Sequence, residues 1–208
     1  YTFNYTIMSK AGLVTADPKT IEVTTYDLDY MDHPLWINLT GGMKEEKVWY
    51  LDLDANGKSV YWAGPMYFYG VDDNWHSVTE GQKVDGDSWN WCPDWKGNQW
   101  IMPAKDYGSF TFGAIIGHTL VADKKVEKVT DNGTYMMDID NYTMTFTKST
   151  MLRDENRIPI VSNWSKVKLL SLTEDAMQLG VIRDNDPNEG PCLLVYNYVS
   201  KKYYDAHK

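Results

Sequence analysis

"KVKLLSLTEDAMQLGVIRD", residues 166–184, decides the fold class. Apolar residues at Val167 and Leu169, then at Met177, Leu179 and Val181, alternate with polar ones such as Lys168 and Gln178. A period of two lines one face of a β-strand, whereas a helix would repeat every three to four residues. "TEDA" at 173–176 breaks the pattern, so the stretch reads as two antiparallel strands joined by a turn.

The same period spreads outward in both directions. "NGTYMMDIDNYTMTFTKS" (132–149) reads as a hairpin turning at "DIDN", and "PCLLVYNYVSK" (191–201) as a final strand. "SFTFGAII" (109–116) and "TLVADKKVEKVT" (119–130) read as strands. "KVWYLDLDANGKSVYWAG" (47–64) reads as a hairpin with Asn56-Gly57 at its tip, the strongest short hairpin signal. "YTFNYTIMSK" (1–10) and "KTIEVTTYDL" (19–28) flank a turn in "AGLVTADP" (11–18). One helix is expected, near residues 32–40. Asp32 serves as its N-cap, Pro34 lies in its first turn, and Gly41 ends it. About ten short strands with a single helix signal a sandwich or a barrel. The expectation is an all-β, jelly-roll or concanavalin-like β-sandwich over residues 1–208, with 27–205 as the main sandwich.

Composition narrows the function. The chain has 208 residues, 43% of them hydrophobic and 24% charged, a globular balance. Its net charge of −9 argues against nucleic acid or an anionic membrane surface as partner, and leaves neutral ligands such as sugars. The longest apolar run, "GAIIGHTLVA" (113–122), is too short to cross a bilayer as a helix. No leader is visible and Tyr1 begins in mid-pattern, so a mature or trimmed chain is expected. Cys92 and Cys192 make no disulfide framework, and whether they bridge stays open.

The densest chemical signal is "DSWNWCPDWKGNQW" (87–100), with Trp89, Trp91, Trp95 and Trp100, and Trp75 upstream. Indole faces stack on the C–H faces of sugars, and neighbouring Asp and Asn bond the hydroxyls. The expected ligand site is therefore Trp75, Trp89, Trp91, Trp95 and Trp100, with Asp72, Asp73, Asp94, Asn98 and His76 supplying polar contacts. The competing reading folds these tryptophans into a mini-core. Catalytic patterns are weak by comparison. Asp138 and Asp140 share a strand face, and Asp154 and Glu155 are adjacent, but both sets read as solvated turns or strand ends. His118 reads as a core histidine in a strand. Asp52, Asp54, Asn56 and Gly57 follow the opening of a calcium loop, but Ala63 stands where the bidentate Glu belongs. No cofactor and no assigned metal site is expected, although calcium among the Asp-rich loops stays open.

The order of features resembles the C-terminal β-sandwich domain of PKD-containing, Sus-type surface lipoproteins, encoded in polysaccharide-utilisation clusters of Bacteroidetes. The matching segments are Leu39–Gly42 ("LTGG"), Val48–Asp52 ("VWYLD") and Tyr61–Pro65 ("YWAGP"), within residues 18–110. The hairpin at 168–184 also looks like repeats of small secreted β-barrel proteins. The lipoprotein resemblance implies non-catalytic polysaccharide or oligosaccharide binding, secreted or at the bacterial outer-membrane surface, feeding a glycan transporter. A monomer is expected, and residues 1–26 would be the remnant strand pair of a PKD or immunoglobulin-like module. Alternatives are a divergent β-sandwich glycoside hydrolase and a ligand-free adhesin or structural module. The absence of a good carboxylate pair favours binding over catalysis.

Overall fold

The computed structural model describes residues 2–10, 12–22, 29–71, 89–114 and 117–208. It divides into two compact units, Tyr1–Tyr30 and Met31–Lys208. In the first, β1 (Thr2–Phe3) pairs with β4 (Lys19–Thr20), and β2 (Thr6–Ser9) with β3 (Gly12–Thr15). Ile7, Met8, Leu13 and Val14 are all exposed there. Two-stranded ribbons of this kind bury little and are marginal alone.

The second unit opens with helix α1 (Pro34–Thr40). Its N-cap is His33, one residue after the expected Asp32. The His33 Nδ1 accepts from the Leu35 N–H at 3.2 Å, and Pro34 needs no partner at the first helical position. Gly41 takes the left-handed conformation at φ 91° and donates to the Ile37 carbonyl, ending the helix. Strands β5 (Glu46–Leu51), β6 (Met66–Tyr69), β7 (Asn90–Trp91), β8 (Gly108–Gly113), β9 (Thr119–Lys124) and β10 (Val129–Asp138) follow. Then come β11 (Thr143–Thr147), β12 (Lys166–Leu172), β13 (Ala176–Arg183), β14 (Cys192–Ser200) and helix α2 (Lys201–His207).

The jelly-roll sandwich expectation is corrected here. Strands β5, β8, β9, β10, β11, β12, β13 and β14 pair antiparallel in that order, and β14 returns to β5 to close a barrel of eight strands. β13 pairs along its whole length with residues 192–199 of β14. The other edge of β14 is shared: residues 198–200 bond β5 and residues 193–196 bond β6. The expected hairpin over 47–64 is corrected too. The turn at Asn56-Gly57 exists, but β5 and β6 lie end to end on β14 instead of pairing with each other. Alternation shows only that one strand face is buried, and it cannot distinguish a sandwich from a barrel. The distinction lies in which strand takes up the last free edge.

The barrel interior is packed with its own side chains. Phe110 and Phe112 of β8 reach Phe146 of β11, at ring distances of 5.8 and 6.2 Å. Those strands are not neighbours, so the contact runs through the interior. Phe110 also stacks on Tyr198 at 5.8 Å, and Trp49 is fully buried. One end is closed by α1, where Trp36 lies 4.8 Å from His118 and the Trp49 Nε1 donates to the Leu39 carbonyl. His118, expected in a strand, stands in the turn before β9 at φ 48°. The opposite end is closed by residues 149–164, where the Tyr198 hydroxyl donates to the Leu152 carbonyl at 3.0 Å. All nine residues of β14 are buried, because its outer face is covered as well. Leu193 and Val195 pack there with Tyr67, Tyr69 and Leu170.

Candidate functional site

A groove of about 360 Å³ opens on the outer rim of the barrel, at the end closed by residues 149–164. β6 and β7 supply its aromatic wall. Phe68 and Trp91 are register partners, and their rings stack at 5.2 Å. Trp100 stacks on Trp91 at 5.9 Å. Below Phe68, the Arg157 guanidinium lies 5.9 Å from the ring. These pairwise contacts link four planar groups in series, Trp100–Trp91–Phe68–Arg157. Exposure falls along this series, from 71% at Trp100 and 41% at Trp91 to a buried Phe68. Trp89, 53% exposed, lines the same groove two residues before Trp91. Among the described residues, no protein acceptor meets the indole N–H of Trp89, Trp91 or Trp100.

Trp95 lies elsewhere. Its ring is 8% exposed and its Nε1 donates to the Met102 carbonyl at 2.8 Å. The outer edge of its six-membered ring points at Gly57, where an added Cβ would stand 2.6 Å from it. Trp95 is therefore the mini-core filler that fixes the 93–102 loop to the Asn56-Gly57 turn. Asp94 and Asn98 shape that loop too: the Asp94 carboxylate accepts from the Gly97 N–H, and the Asn98 amide donates to the Asp94 carbonyl. Trp75, Asp72, Asp73 and His76 lie outside the described residues.

The polar side of the groove was missed in the sequence. It consists of Asn156, Arg157, Arg183, Asp186 and Glu189. Arg157 donates from Nη1 to Asp154 Oδ2 at 2.7 Å, and the Tyr196 hydroxyl donates to Asp154 Oδ1 at 3.1 Å. Asp154, read from the sequence as part of a solvated turn, is fully buried. Burying a carboxylate requires such partners, and together they fix the guanidinium plane. Arg183 bridges Glu189 and the Gly190 carbonyl, while its buried Nε has no acceptor. The Asp186 carboxylate accepts from the Asn188 and Glu189 N–H groups and so shapes its own turn.

Cys192 also lines the groove. Burial pushes its thiol upward against the pull of Arg183, which makes it a poor nucleophile at neutral pH. Cys92 reaches the Tyr69 hydroxyl instead, and both thiols are free. No group of three or more metal-ligating side chains occurs among the described residues. The two carboxylates of the D-x-D-x-N-G stretch face protein donors. Asp52 accepts from the Val60, Tyr61 and Trp62 N–H groups at 2.6–3.0 Å. Burial pushes its carboxyl upward and those bonds pull it back in part. Asp54 accepts from the N–H groups of Asn56 and Lys58 and from the Tyr204 hydroxyl.

Compared with known proteins, the chain matches no protein-family model and no curated sequence.

Proposed function

We propose that the protein binds carbohydrate without transforming it, in the groove lined by Trp89, Trp91 and Trp100. The observation that carries this is Trp100. It is the outermost ring of a fixed stack and leaves most of its surface to solvent. The fold gains little stability from an indole left so exposed, whereas a sugar face gains a rigid platform at low entropy cost. Unpaired indole N–H groups and the amide and carboxylates of the rim supply hydroxyl partners beside it. Asp186 and Glu189 belong to one turn and one wall. A glycosidase needs its two carboxyls on either side of the scissile bond, so the pair supports binding over hydrolysis. A secreted or cell-surface setting, with delivery to a glycan transporter, belongs to the same proposal. It rests on the groove, since the sandwich implied by the resemblance is replaced by a barrel.

Calorimetry against a panel of oligosaccharides tests this. Trp100→Ala and Trp89→Ala should each weaken binding by roughly tenfold, about 1.4 kcal/mol, with melting unchanged. Binding that survives both substitutions at full strength would remove the groove from consideration.

A further inference from the structure

We infer that the groove takes an uncharged sugar, with Arg157 as the residue that reads its hydroxyls. This rests on the carbohydrate reading and specifies it. Two guanidinium groups line the groove, and each already has its carboxylate: Arg157 is held by Asp154, and Arg183 by Glu189. Asp186 adds a negative charge with no cation against it among the described residues. The whole protein carries −9. A uronate or sulfate would bring a further negative charge to a lining whose cations are spent. A neutral sugar meets no such penalty.

Arg157 has donors to give such a ligand. One of its three nitrogens is engaged by Asp154, and Nε and Nη2 make no hydrogen bond with the protein. Neither is sealed from solvent without a partner, unlike the Arg183 Nε. Arg157 lines the same groove as the three tryptophans and lies against Phe68 at its inner side, so an oligosaccharide that runs from Trp100 past Trp91 brings the hydroxyls of a further sugar unit to the planar fork. Buried Asp154, with the Tyr196 hydroxyl on its other oxygen, keeps the fork from rotating. A fixed two-donor edge suits a pair of adjacent hydroxyls, and lysine at the same place supplies a charge without that geometry.

The experiment compares neutral oligosaccharides (cello-, xylo- and manno-hexaose) with oligogalacturonate and alginate oligomers, by calorimetry at low and at roughly 0.5 M salt. The expected result is binding of at least one neutral oligomer, unchanged by salt, and none of the acidic ones. Arg157→Lys keeps the partner of Asp154 and should weaken that binding by about tenfold at unchanged melting temperature. Trp100→Ala is measured in parallel. If Trp100→Ala loses affinity and a folded Arg157→Lys does not, the role of Arg157 is wrong and the carbohydrate reading stands. If an acidic oligomer binds more tightly, with an affinity that falls with salt, the ligand class is wrong and the carbohydrate reading again stands. If no oligomer of either kind binds, both fall. The salt and ligand comparison uses the unaltered protein, so it decides the class even if Arg157→Lys folds poorly.

Discussion

Inside the barrel, Trp49, Phe110, Phe112 and Tyr198 are covered on every side, while at the rim Phe68, Trp91 and Trp100 touch along a single line. The two assemblies use the same kinds of ring. They differ in what happens to the polar handle of each ring. Inside, the Trp49 N–H, the Tyr198 hydroxyl and the Tyr135 hydroxyl all find backbone carbonyls. At the rim the indole N–H groups find no protein acceptor among the described residues. A core satisfies itself, whereas a binding surface leaves donors and ring faces unspent. Both ends of the barrel are closed by the protein's own chain, and the wall built from β6 and β7 offers a guest a place outside.

The contrast is broken most severely from the inside. Trp49→Ala removes a fully buried ring and its hydrogen bond to Leu39, and should cost about 3–5 kcal/mol in urea unfolding. Gly57→Ala comes next. A Cβ there meets the Trp95 ring at 2.6 Å and sits at φ 76°, so a loss of about 1–3 kcal/mol is expected. Most of the steric part should vanish in the double variant with Trp95→Ala, which a double-mutant cycle measures.

A pH effect at the α1 end is smaller. The Lys47 ammonium donates to the Asn38 and Glu174 carbonyls beside the Trp49 ring. Burial lowers it to about 8, against the pull of Asp175 and Glu174. From that value up to its unfolded pKa, the unfolded chain keeps a proton that the folded chain has lost, so stability from this group rises with pH. Lys47→Met abolishes the difference. The gap between native and variant urea midpoints should therefore shift in favour of the native protein from about pH 7 to about pH 9.5. Trp100→Ala is expected to be the mildest, within about 0.5 kcal/mol in stability while binding weakens by roughly tenfold. A large destabilisation there would turn the rim into core and erase the contrast.

Much of the barrel was legible as strands because the alternation around Val167–Leu172 and Thr143–Thr147 is a local signal. Its closure was not, because the pairing of β14 with β5 joins residues far apart in the chain. The tryptophan-rich stretch was legible as chemistry but not as geometry. Trp95 and Trp100 share one polar loop, yet Trp95 is drawn inward by the space over Gly57 and the carbonyl of Met102. Arg157 gave no signal beyond its charge. In "LRDENRIP" the carboxylates drew attention, and nothing local shows that Asp154 meets Tyr196, forty-two residues on. The register of β14 decides that meeting.

The position of β14 in the chain has a consequence for synthesis. Residues 192–200 close the seam, so a growing polypeptide can assemble the other seven barrel strands but not the ring. Until then the edges of β13 and β5 are open ladders of unpaired amides, the surfaces through which chains aggregate. Closure is a long-range, slow kind of contact to form. Chaperone demand during production should therefore concentrate on the interval between emergence of β13 and emergence of β14.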